Sequence, residues 1–214
     1  MTRVLLTGFA PFEGSDVNTS QQAVEAVATD PPPGVEVVTA ELPCVFGEAL
    51  DALREAVAAA DPGVVLCVGQ AGGRPDVTVE RVAINIDDAR IPDNSGEQPI
   101  DAPIVEDGPA AYFTTLPLKA CVAAVREAGL PASVSQTAGT FVCNHVFYGL
   151  MHLLATERPD TRGGFVHVPY APEQVTDKGE PSLPVGATAD ALRVIMVTAA
   201  GRTDDIKAVG GATH

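Results

Sequence analysis

Apolar positions along the chain gather into short runs at residues 4–9, 35–42, 64–69, 77–86, 132–135 and 165–168, with the length and β-branched content of buried strands. Between these runs apolar residues recur at helical spacing over residues 19–28 after an Asn18 cap, 46–60, 116–128, 141–157 and 184–200, the last closed by Gly201. Strands alternating with helices predict an α/β sandwich with helices on both faces of the sheet. Hydrophobic residues at 46% and charged residues at 19% support a real core. The length of 214 residues suits one domain over 1–214, with residues 203–214 forming a small-residue tail expected to fray.

In open α/β sheets ligands bind beyond the C-terminal ends of strands. Three such ends are rich in candidate residues: 8–14, with Phe9 and Phe12; 69–74, with Gln70 between glycines; and 167–170. The aromatic residues have two readings, core packing or an apolar pocket. The glycines of 69–73 match neither the dinucleotide fingerprint nor the phosphate-binding loop, so they indicate a tight strand exit or close backbone approach to a small ligand. Residues 87–109 are dense in Asp, Pro, Gly and Asn and show no period, which predicts a long loop with at most a short hairpin.

The formal charge of −15, from 13 basic and 28 acidic residues, argues against nucleic acid as a partner, because no stretch concentrates Lys and Arg. Cys44, Cys67, Cys121 and Cys143 have neither C-x-x-C nor zinc-ligand spacing, and no metal site is expected. Cys67 and Cys121 read as small buried hydrophobes. The N-terminus enters a strand-like run without a signal sequence, and no apolar stretch is long enough to span a bilayer. A reducing cytoplasm, with free thiols, is the expected compartment.

Cys143 stands where the turn 135–140 runs into a helical pattern. A thiol at a helix N-terminus is expected to have its pKa lowered by unpaired N–H groups and the helix dipole, which suits a nucleophile. Its proton needs a histidine. On the helix after Cys143, His145 and His152 lie at offsets of two and nine, opposite the face of Phe147, Leu150, Met151 and Leu154, and His214 is the last residue. His167, at the end of a buried run, remains. If residues 77–86 form one strand, Glu80 shares a face with Val82, Ile84 and Ile86, while Arg81 points away. A carboxylate in such company needs a partner. An imidazolium and a structural arginine such as Arg74 or Arg90 are equally good readings.

Five segments together resemble the pyroglutamyl peptidase I family. They are 5–12, 80–85, 90–94, 138–144 and 167–170, in matching order along nearly the whole chain. The resemblance implies a cysteine peptidase that removes an N-terminal pyroglutamyl residue from peptides, with a triad of Cys143, His167 and Glu80. It implies a three-layer α/β/α sandwich with a mixed, mostly parallel central sheet, like that of nucleoside phosphorylases, no cofactor, and a homodimer or homotetramer in the cytoplasm. The family's lactam pocket maps to Phe9, Phe12, Phe141 and Val142, with Gln70 and Arg90 at further positions near the site. The chain departs from the usual pattern at Glu13, in a loop that normally has a second glycine, and in a Pro/Ala-rich stretch around 182–191. Two alternatives stand beside this reading. One is a phosphorylase or nucleosidase, suggested by the glycine-rich loop, and the other is a protein that binds blocked peptide N-termini without cleaving them.

Overall fold

The structure is a computed structural model, and it describes residues 1–12 and 14–212. Glu13 and His214 lie outside the described residues. Strands β1 (Thr2–Phe9), β2 (Val35–Leu42), β3 (Val64–Gln70), β4 (Val77–Glu80), β7 (Ala132–Ser135) and β8 (Arg162–Val168) form one sheet in the order β2-β1-β3-β8-β4-β7. All neighbours in it run parallel except β4 and β8, which are antiparallel. Helices α1 (Thr19–Thr29), α2 (Glu48–Ala60), α3 (Leu118–Glu127), α4 (Val142–Glu157) and α5 (Val185–Gly201) complete the three-layer α/β/α sandwich.

Alternation along the strands sorts the layers. Val4, Leu6, Val64, Leu66, Val68, Val77, Val79, Val166 and Val168 pack with α1, α3 and α5. The intervening Leu5, Phe9, Val65, Cys67 and Phe165 pack with α2 and α4. His167 is in phase with Phe165, so it faces the α4 side. Thr78 and Glu80 alternate with Val77 and Val79 and share that side. Antiparallel register sets Thr78 directly across from His167, and parallel register sets Glu80 across from Ser135.

Residues 77–86 do not form one strand. The chain leaves the main sheet at Arg81, whose N–H donates to Ser135 O and whose carbonyl accepts from Thr114 N. Beyond it β5 (Val82–Ile84) pairs antiparallel with β6 (Ala111–Phe113) in a separate two-stranded sheet. A run with apolar residues on both sides of Glu80 and Arg81 does not reveal such a break. Glu80 therefore shares its face with Thr78 and not with the apolar residues after it. The long loop between β5 and β6 is ordered by one isolated antiparallel bridge, Asp87 to Ala102, and by Asn85, whose Oδ1 accepts from Ile104 N and Val105 N.

The tail beyond α5 is tied down where fraying was expected. Asp205 accepts from the first N–H groups of α3, at Lys119 and Ala120, which no local side chain caps. Gly210 O accepts from Arg81 and Gln136. These acceptors serve donors distant in sequence, which explains why composition alone suggests a loose end.

Close approach of α1 to the end of β1 depends on Gly8. A Cβ there would stand 2.8 Å from Gln21 Cα and 2.9 Å from its backbone nitrogen, and backbone cannot rotate aside. Gly8→Ala is expected to lower unfolding free energy by about 1–3 kcal/mol. Urea denaturation followed by circular dichroism measures this, and an unchanged midpoint would show that α1 shifts freely.

Candidate active site

The strand ends of β1, β3 and β8 and the start of α4 surround an enclosed cavity of about 180 Å³. Phe9, Phe12 and Phe141 supply aromatic walls, Gln70, Asn18 and His167 the polar edge, and Cys143 and Cys44 two thiols. Phe12 and Phe141 rings lie 6.5 Å apart, and Phe46 meets Phe141 edge to face at 5.3 Å. No carboxylate lines this cavity among the described residues.

Cys143 occupies the second position of α4, whose cap residue Phe141 offers no side-chain acceptor to the first N–H groups. Those donors are left facing the thiol end of the helix. Gly69 makes room for the sulfur: a Cβ there would lie 2.9 Å from Cys143 Sγ and 2.9 Å from Phe165 Cζ. Phe165 also packs beside the His167 ring, at 4.9 Å between centroids.

His167 Nδ1 and Glu80 Oε1 are 2.7 Å apart, both side chains buried. Arg74 Nη1 donates to the same Glu80 oxygen at 2.7 Å, and its Nη2 donates to Thr137 O. Imidazole and arginine thus hold the carboxylate together, where the sequence offered them as alternatives. Glu80 Oε2 is buried without a hydrogen bond of good geometry, although Ser135 lies beside the carboxylate. Burial works to raise the Glu80 pKa, but the hydrogen bond and charge of His167, then Arg74, outweigh it and hold the carboxyl below its ordinary value. Burial also lowers the pKa of His167, against the opposing pull of Glu80, and Arg74 adds to the lowering. The imidazole is neutral at neutral pH, with Nδ1–H directed to Glu80 and Nε2 left as an acceptor.

The thiol departs from expectation. Burial pushes the Cys143 pKa up, the negative charges available to Cys44 and Glu80 push further, and Arg74 opposes. A helix N-terminus favours an anion, but desolvation and the nearby negative charges set the direction at Cys143. The resting pair is a neutral thiol and a neutral imidazole. Cys44 and Cys67 are likewise raised, each to about 12.

Phe9, Phe12, Gln70 and Phe141 line the cavity with Cys143 and His167, whereas Val142 is fully buried in the α4-side core and does not. Gln70 Oε1 accepts from Thr19 N and from Gln174 Nε2. Arg90 is exposed and lines two outer cavities instead. His145 and His152 turn away as helix geometry requires: His145 Nδ1 pairs with Asp87 and its Nε2 accepts from Gly47 N, while His152 pairs with Tyr112.

Sequence reasoning missed the supporting shell. Asn144 fastens α4 to β5 through Ile84 N, Ile84 O and Ile86 O. Asp93 accepts from Phe46 N, Ser95 N, Ser95 Oγ and Glu97 N, and Asn94 donates to Pro11 O, so one turn braces two aromatic walls. The Asp-Asn-Ser-Gly cluster at 93–96 was the only visible signal of it, as an Asx turn.

A thiol and a histidine that line one cavity, the histidine held by a buried carboxylate, on a layered α/β/α sheet, are the parts that a cysteine-type hydrolase uses. The sequence profile of one family, described as pyroglutamyl peptidase, matches residues 2–202, and the chain belongs to that family of cysteine peptidases. The chain is 67% identical over 217 residues to a pyrrolidone-carboxylate peptidase of Streptomyces coelicolor, covering 100% of both chains. It is 55% identical over 215 residues to that of Escherichia fergusonii, again covering 100% of both. Pyroglutamyl peptidase I of Bacillus amyloliquefaciens superposes with a TM-score of 0.94 at 50% identity, over 96% of this chain and 100% of that one. Pyrrolidone carboxyl peptidase of Thermococcus litoralis gives 0.92 at 37% identity, over 98% and 100%.

Because the resting thiol is protonated, its alkylation by iodoacetamide should accelerate with rising pH throughout pH 6–9. Mass-spectrometric rates at Cys143 test this. A rate already level at pH 6 would instead mean a preformed thiolate–imidazolium pair.

Proposed function

We propose that the chain hydrolyses the amide bond after an N-terminal pyroglutamyl residue of peptides, with Cys143 as nucleophile, His167 as acid and base, and Glu80 orienting His167. The observation that carries this reading is the buried 2.7 Å contact between His167 Nδ1 and Glu80 Oε1, beside a cavity that Cys143 and His167 line together.

As Cys143 Sγ bonds to the pyroglutamyl carbonyl carbon, its proton passes to His167 Nε2. Glu80 stabilises the imidazolium so formed. The carbonyl oxygen becomes an oxyanion at the first N–H groups of α4, where a helix N-terminus favours negative charge. The intermediate collapses, breaking the C–N bond, and the departing amine takes the proton from His167. His167 then takes a proton from water, whose oxygen attacks the thioester, and pyroglutamate leaves as Cys143 regains its proton. A neutral resting pair supports this order, with proton transfer accompanying attack.

The cavity favours a lactam. Pyroglutamate has no ammonium group, and its ring suits walls formed by Phe9, Phe12 and Phe141. Gln70, at the polar edge of the cavity, is the proposed donor to the ring carbonyl. An ordinary peptide N-terminus would bury an ammonium without a carboxylate partner, at a cost of several kcal/mol. Val142 contributes its backbone N–H and its packing. The reading includes a homodimer or homotetramer, for which exposed Ile100 and Phe113 offer apolar surface, and a cytoplasmic setting in which four free thiols persist. Among the described residues no helix is long and apolar enough to cross a membrane.

Cys143→Ala should reduce hydrolysis of a pyroglutamyl fluorogenic amide by at least about a thousandfold, and Glu80→Gln by roughly 10²–10⁴-fold, with near-wild-type circular dichroism. Undiminished turnover by either variant removes that residue from its role, and equal cleavage of free-amine aminopeptidase substrates would remove the lactam specificity. Sedimentation equilibrium should return two or four chains, and a monomer would refute the assembly.

A further inference from the structure

Ten arginines occur in the chain, and nine of them have hydrogen-bond partners. Arg90 alone has no hydrogen-bond or ion-pair partner among the described residues, on a chain where acidic residues outnumber basic ones by 28 to 13. It stands at the mouth of the candidate active site. With Lys178 it lines an outer cavity of about 480 Å³ that also includes Ser15, Gln174 and Tyr170. Lys178 Nζ lies 6.0 Å from the Tyr170 ring centroid and forms no ion pair among the described residues.

This outer cavity adjoins the thiol cavity, with Phe12 and Gln70 lining both. No described carboxylate lines it. A second outer cavity, about 560 Å³, shares Arg90, Phe12 and Tyr170 but carries Asp88 and Glu180. Two branches of surface thus lie outside the thiol cavity: one presents two cations with hydroxyl and amide groups, and the other has mixed charge. Long-range repulsion from a net charge of −15 works against anions generally. Two uncommitted cations converging on one polar branch supply the local opposite.

We propose that the branch between Arg90 and Lys178 is a carboxylate subsite for the leaving-group side of the substrate. The inference rests on the pyroglutamyl reading above: with the lactam ring in the inner cavity, the next residue must pass Phe12 and Gln70 into the groove. A planar guanidinium and an ammonium lining one cavity suit a carboxylate, by bidentate hydrogen bonding to one and point-charge attraction to the other. That carboxylate comes either from the free C-terminus of a pyroglutamyl dipeptide or from an acidic side chain directly after pyroglutamate.

The experiment compares kcat/KM for pyroglutamyl-alanine with a free carboxylate, pyroglutamyl-alanine amide and pyroglutamyl-aspartate amide. Wild type should favour at least one anionic substrate over the neutral amide by about fivefold, the scale of a partly exposed ion pair, and the preferred one identifies the carboxylate's source. The Arg90→Gln/Lys178→Gln double variant should bring that ratio to about one, and Lys178→Glu should take it below one. Ratios are read within each variant, so a change in the amount of folded enzyme cancels. A wild-type ratio of one or less, or a ratio unchanged in the double variant, overturns the subsite while leaving pyroglutamyl hydrolysis intact. Absence of turnover on all three substrates by wild type overturns both.

Discussion

The site depends on a single carboxylate oxygen. Glu80 Oε1 sits 2.7 Å from both His167 Nδ1 and Arg74 Nη1, in a side chain with no solvent exposure. A buried carboxylate without partners would take up a proton or destabilise the fold by several kcal/mol. With two donors on one oxygen it stays ionised and fixes the imidazole's tautomer and direction. The antiparallel pairing of β4 with β8 makes the contact possible, because it lays Thr78 across from His167 and brings Glu80 to the same face. In a sheet otherwise parallel between neighbours, this reversal lets two strands running in opposite directions contribute to one edge.

The same burial shapes the thiol. Half-buried beside Gly69 and Phe165, Cys143 has its thiolate disfavoured by desolvation, and the Glu80 charge that orients His167 also disfavours a second anion nearby. The apolar walls that disfavour a thiolate are also the kind of surface that accepts an uncharged ring, and a low dielectric strengthens N–H donors toward a negative charge. Cys44, in the same cavity and with a pKa of about 12, lacks the helix position and the oriented histidine.

Outside the catalytic groups, the walls are held by side chains whose role is positional. Asn144 joins α4 to β5, His145 joins α4 to Asp87 and to the start of α2, and Asp93 with Asn94 joins the segments carrying Phe46 and Phe12. Each bond crosses between segments far apart in sequence. This is how a cavity built mostly from strand-end loops gains the fixed geometry that such chemistry requires.

Much of this was legible in the chain. Apart from residues 77–86 and the short strand β6, which the pattern did not indicate, strand and helix boundaries fell within a few residues of those observed, since period 2 and period 3.6 are local properties of the apolar pattern. Helix phase excluded His145 and His152 from Cys143, and position on a strand end selected His167. The apolar pattern could not show that residues 77–86 break at Arg81, nor whether Glu80 meets a histidine or an arginine. It also could not show that the tail packs through Asp205 and Gly210, nor that a thiol at a helix N-terminus has its pKa raised and not lowered. Those outcomes depend on strand order, antiparallel register and burial, which bring together groups dozens of residues apart and set the dielectric around them. Covalent order along the chain determined which residues were available and which way each faced locally; only tertiary packing decided which of them met and in what state of charge.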